Sequence, residues 1–92
     1  MATISVEHLA GPTYRVTVAE DDGSTGHDVT VTPETVRRYA PAETSAERLI
    51  KASFEFLLAR ESKESILRQF DLPVIERYFP EYRQHIRTAL GL

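Results

Sequence analysis

The spacing of apolar residues changes at one point along the chain. Up to Thr32 they alternate with polar residues, as a half-buried strand requires, and from Pro33 onward they recur at helical spacing. A sheet-forming stretch followed by a helix-forming one predicts an α+β domain. Residues 1–32 are expected to form a three-stranded antiparallel meander and 33–92 the helical part, all in a single domain, since 92 residues suit one compact core. A chain of this length buries only about 60–65% of its unfolded surface. It has no cysteine, so neither a disulfide nor a thiolate metal site can add to that core.

The strands follow from the alternation. Ile4, Val6 and His8 alternate with Thr3, Ser5 and Glu7; Tyr14, Val16 and Val18 alternate with Thr13, Arg15 and Thr17; Val29 and Val31 alternate with Asp28, Thr30 and Thr32. Ala10-Gly11-Pro12 marks the first reversal and Asp21 to Gly26 the second. One sheet face is then Val/Ile/Tyr and must be covered; the other is Thr/Ser/charged and can meet water.

Thr32-Pro33-Glu34 has the form of a helix start, with Val36 and Tyr39 as anchors and Pro41 as the stop. Thr44-Ser45-Ala46-Glu47 has the form of a capping box for a main helix over about residues 45–60. Ala46, Leu49, Ile50, Phe54, Phe56, Leu57 and Leu58 spread over roughly two-thirds of its wheel, which predicts a central helix with contacts on two sides. Ile66, Leu67 and Phe70 are read as the stripe of a short helix. Val74, Ile75, Tyr78 and Phe79 then mark a second short helix, and Tyr82, Ile86, Ala89 and Leu90 the last.

The apolar share of 41% and charged share of 27% are those of a globular protein. Net charge is −3, and the sheet half carries Glu7, Glu20, Asp21, Asp22, Asp28, Glu34 and Glu43 against Arg15, Arg37 and Arg38. That balance offers no broad attraction for phosphate backbones, which argues against a nucleic-acid partner. Every apolar stretch is shorter than the roughly 20 residues of a membrane helix, and the opening residues lack the basic start of a signal peptide. A cytoplasmic protein without a membrane partner is therefore expected.

Several groupings of residues have the outline of a functional site. Residues 64–79 have the outline of a helix-turn-helix, but the second segment sets only Glu76 and Arg77 among large apolar residues, where a recognition helix presents polar groups. Residues 21–28 carry the oxygen donors of a cation or anion loop without the ligand spacing of an EF-hand or the lysine of a P-loop. His8, His27 and His85 share no metal spacing and are expected at strand ends or on the surface. There is no nucleophile elbow and no thiol, so a non-catalytic chain without cofactor or metal is expected. The aromatic residues are the remaining signal. A small sheet cannot shelter all of them, so Tyr78, Phe79 and Tyr82 are expected to form an exposed docking patch. Strand one has no proline and a single charge, which makes Thr3, Ser5 and Glu7 the alternative, an edge open to pairing with a second copy.

The run from Phe54 to Tyr82, including Ser65-Ile-Leu-Arg-Gln-Phe-Asp-Leu-Pro-Val-Ile-Glu-Arg-Tyr-Phe-Pro-Glu-Tyr82, resembles a group of small bacterial proteins of unknown function with a strand-forming N-terminal part. The resemblance implies a layout and carries no activity or assigned site. The reading is therefore a non-catalytic protein–protein interaction module, self-associating as a homodimer. The alternatives are a small DNA-binding regulator or antitoxin-like protein acting through residues 64–79, and a small enzyme or anionic-ligand binder at residues 21–28.

Overall fold

The computed structural model describes residues 2–91. Among them the elements run β1 (Thr3–Ala10), β2 (Thr13–Glu20), β3 (Gly23–Thr30), α1 (Pro33–Tyr39), α2 (Ala46–Leu58), a short 3₁₀ turn (Lys63–Ser65), β4 (Gln69–Asp71), α3 (Val74–Tyr78) and α4 (Tyr82–Ala89). The class is α+β. The sheet has the order β1-β2-β3-β4, with β4 parallel to β3 and the other pairs antiparallel. The three-strand meander is thus present but extended by a fourth strand, and the free edges are β1 and β4. No helix among the described residues is long and apolar enough to cross a membrane.

Two departures from the sequence reading share a cause. β3 begins at Gly23, directly across from Glu20, so the reversal is Asp21-Asp22 alone and Ser24 to His27 belong to the strand. The inward positions of that stretch are Thr25 and His27, both buried, and they satisfy each other by a 2.8 Å bond between Thr25 Oγ1 and His27 Nε2. An inner face made of polar residues leaves no apolar alternation to read. Residues 64–71 likewise do not form the expected helix. They pass through the 3₁₀ turn into β4, which joins β3 through the Asp28 amide to the Arg68 carbonyl at 2.8 Å and the Leu72 amide to the Thr30 carbonyl at 3.1 Å. Phe70 is buried between exposed Gln69 and Asp71, an alternation too short to recognise.

The helix starts follow their caps. Thr32 accepts from the Thr35 amide at 3.2 Å, with Pro33 in the first turn, and Ser45 accepts from the Arg48 amide at 3.1 Å. The cap of α2 is therefore Ser45, one residue beyond the expected Thr44. α2 is central, as its wide apolar arc implies. Phe54 is fully buried, with ring centroids 5.4 Å from His27 on β3 and 6.1 Å from Phe70 on β4, and Leu58 is half-buried. On its other flank, Ser53 and Phe56 meet α4. Ser53 donates to the Leu49 carbonyl at 2.7 Å and lies 2.6 Å from the Tyr82 hydroxyl, while the Phe56 ring packs edge-on to Tyr82 at 5.3 Å.

Candidate protein-docking groove

The end of α2, the segment leading into β4, and α3 enclose an apolar groove of about 190 Å³. Its floor is Leu57, Ile66, Phe70, Val74, Ile75 and Phe79, and Glu61 supplies the single carboxylate of the lining. Leu67 and Tyr78 form its lips and are 48% and 68% exposed, two of the three large apolar side chains left in solvent among the described residues. The third, Leu9, sits where the β1 register slips between His8 and Ala10. A wider trough of about 940 Å³ lies between the β1–β2 turn and the α1–α2 loop. It is lined mainly by small residues such as Pro12, Ala40, Pro41 and Ala42, and the imidazole of His8 at its rim is already bonded to the Gly11 carbonyl at 2.7 Å. The smaller groove is therefore the better seat for a large apolar side chain.

Two buried polar side chains fix the Lys63–Leu67 segment that carries one lip. Lys63 is 2% exposed, and its ammonium meets Glu20 at 2.9 Å, Asp22 at 2.8 Å and Glu64 at 2.8 Å. These bonds, Asp22 foremost, raise the lysine above its ordinary pKa, and the ammonium in turn holds Asp22 and Glu64 below theirs. The 3₁₀ turn is thus tied to the β2–β3 reversal by a charge that stays ionised because it is surrounded. The second anchor is His27, whose Nδ1 lies 2.8 Å from the Leu67 carbonyl. A carbonyl only accepts, so Nδ1 carries the proton, and Nε2 of the neutral ring accepts from Thr25. Burial pushes His27 below the ordinary imidazole value; the bond to Leu67 acts the other way, and nearby Arg68 adds to the lowering.

The residues picked from the sequence separate on this geometry. Tyr78 is exposed at the groove and Phe79 is half-buried in its floor, but Tyr82 is fully buried, its hydroxyl held at Ser53, and burial raises its pKa. Tyr82 is core, not patch. Thr3, Ser5 and Glu7 lie exposed on the open face of β1, away from the helices and from the groove. His8 and His85 are exposed, whereas His27 is interior, contrary to the expectation of a strand-end position. Residues 64–79 are not a helix pair. Glu76, in the second segment of that stretch, pairs with Arg83 at 3.1 Å and accepts from the Tyr39 hydroxyl at 2.8 Å, which lower its pKa. Two of the three acids of residues 21–28 are engaged internally, Asp22 by Lys63 and Asp28 by Arg15 at 2.9 Å. Sequence reasoning missed Leu67, Lys63 and His27. Lys63 carries no local pattern, His27 continues the Val29/Val31 row with a polar residue, and Leu67 suits a helical stripe. No protein family, curated protein or solved structure was found to match the chain.

Proposed function

We propose that this chain is a non-catalytic protein-interaction module that takes a large apolar side chain of a protein partner into the groove between α2, β4 and α3. The observation behind this reading is the pair Leu67 and Tyr78, left exposed on either side of a cavity of about 190 Å³ whose floor is already apolar. Tyrosine at the mouth of a desolvated pocket is a common anchor of protein interfaces. The polar anchors beneath Leu67 fit the same reading, because a preformed pocket loses less freedom on binding than a loose one.

The test is a titration of the isotope-labelled chain with N-acetyl-leucinamide and N-acetyl-phenylalaninamide, followed by methyl resonances. Shifts concentrated on the methyl groups of Leu57, Ile66, Val74 and Ile75, and lost in Tyr78→Glu, are expected. Shifts scattered over the surface, or unchanged by Tyr78→Glu, would remove the groove from consideration. The DNA-binding alternative gains no support from residues 64–79, which form a turn, a strand and one short helix.

A further inference from the structure

We infer that β1 is the pairing edge for a second copy of this chain, joined antiparallel about a two-fold axis at Ser5. This goes beyond the groove reading and does not rest on it.

The direction of the backbone groups follows from the ladder. Asp28 and Thr30 turn their amide and carbonyl groups toward β4. By the alternation of an antiparallel ladder, His27 and Val29 then face β2, where their partners are Val16 and Tyr14. Arg15 and Thr17 must face β1, where they pair with Glu7 and Ser5. That leaves the backbone groups of Ile4 and Val6 pointing away from the sheet. Beyond His8 the register slip interrupts the strand, so the straight part of the edge ends there.

A second copy fits this edge in one register better than in its neighbours. Faces match only if Ile4 and Val6 meet inward residues, which confines the axis to a residue position. An axis at Ser5 sets Ile4 against Val6 of the second copy, and Val6 against Ile4, so that all the outward groups of these residues pair. It also sets Ala2 against His8 and Glu7 against Thr3, using the whole straight segment and keeping the one charge of the strand away from its copy. An axis at Glu7 would face carboxylate with carboxylate. The side chains agree with the backbone. Ile4 and Val6 are only half-buried beneath α2, which lies over β1, so the apolar row is open at the edge and is continued by the same row of the second copy. Up to His8 the edge carries no proline, no lysine and no inward charge, devices that ordinarily stop such pairing, and the register slip lies beyond this segment.

The experiment is sedimentation velocity on the full chain at micromolar concentration, with far-ultraviolet circular dichroism to confirm folding. Ser5 is exposed on the face opposite the helices, so its variants keep the core. The wild type is expected to sediment as a dimer. Ser5→Lys and Ser5→Glu, each alone, are expected to weaken association by about tenfold or more, since like charges meet at the axis. An equimolar mixture of the two is expected to restore the dimer, because lysine then faces glutamate. A wild type that is monomeric throughout overturns the proposal. So does a dimer indifferent to Ser5→Lys, or a mixture no better than its components. Tyr78→Ala is expected to leave the dimer intact, which separates this edge from the groove.

Discussion

At one edge of the sheet, β4 is three residues long, lies beside β3, and is preceded by a segment that Lys63 and His27 hold in place. At the other, β1 is eight residues long, alternates plainly from Thr3 to Glu7, is paired with β2 through a short turn, and is held by no buried ion or ring. The contrast separates local from non-local order. β1 and β2 are neighbours in sequence, so a turn and matching faces suffice to bring them together. β4 returns to β3 after two helices, and closing so long a loop costs entropy that local preference cannot supply. Buried polar groups with few alternative partners select one register for that return. The less regular edge is the more constrained one, and the groove lies beside it.

The largest test of this contrast compares apolar truncations at the two edges. Phe70→Ala is expected to cost about 3–5 kcal/mol in urea denaturation, as a buried aromatic does, because the ring packs on Phe54. Val6→Ala, half-buried, is expected to cost about 1 kcal/mol. Equal costs would mean that β4 is no more integrated than the open edge. Next is Lys63→Met, which leaves Glu20, Asp22 and Glu64 facing one another without a cation. Amide exchange from Lys63 to Phe70 and at the Asp21-Asp22 turn is expected to accelerate, with β1 unaffected. Lys51→Met, at an exposed position of α2, is expected to change neither region.

A pH series sharpens the same point at His27. Its folded pKa lies below its unfolded value of about 6.5. As pH falls through about 6.5 the unfolded chain takes up a proton that the folded one refuses, so stability declines from there down to the lowered folded value and is fully present above. The urea midpoint is expected to drop as pH falls below about 6.5, and His27→Gln is expected to flatten that drop. Besides Thr25 and the Leu67 carbonyl, the groups that bear on the ring are Phe54, with its centroid 5.4 Å away, and Arg68, whose charge opposes protonation. A drop that survives in His27→Gln would place the titrating group elsewhere.

What could be read beforehand follows the same division. Val16, Val18 and Val29 on the sheet and Leu49, Ile50, Phe54 and Leu57 on α2 are core, because each follows a period that its own neighbours reveal. The start of β3 is not legible because Thr25 and His27 replace apolar residues on the inner face, satisfied by their mutual hydrogen bond and by that of His27 to the Leu67 carbonyl. β4 is not legible locally, because Ile66, Leu67 and Phe70 suit a helix equally well at that length, and only the distant β3 decides. The groove inherits this ambiguity. Tyr78 was found from aromatic crowding, but its partner lip, Leu67, becomes exposed only once the segment is extended rather than helical.

The smallest expected effect concerns the two tyrosines that the sequence had grouped together. Tyr82 is buried with its hydroxyl 2.6 Å from Ser53, so Tyr82→Phe removes one buried hydrogen bond and is expected to cost about 1 kcal/mol. Tyr78 is 68% exposed at the groove mouth, so Tyr78→Ala is expected to shift stability by less than about 0.5 kcal/mol, as surface substitutions do. Both are read from the same urea curves. If Tyr78→Ala proves as costly as Tyr82→Phe, its ring is packed in solution and is no free lip. If it is neutral while apolar probes no longer shift Ile66 and Ile75, the side chain serves binding alone. The core tyrosine and the surface one then differ in purpose as they differ in burial, although only three residues separate them in the chain.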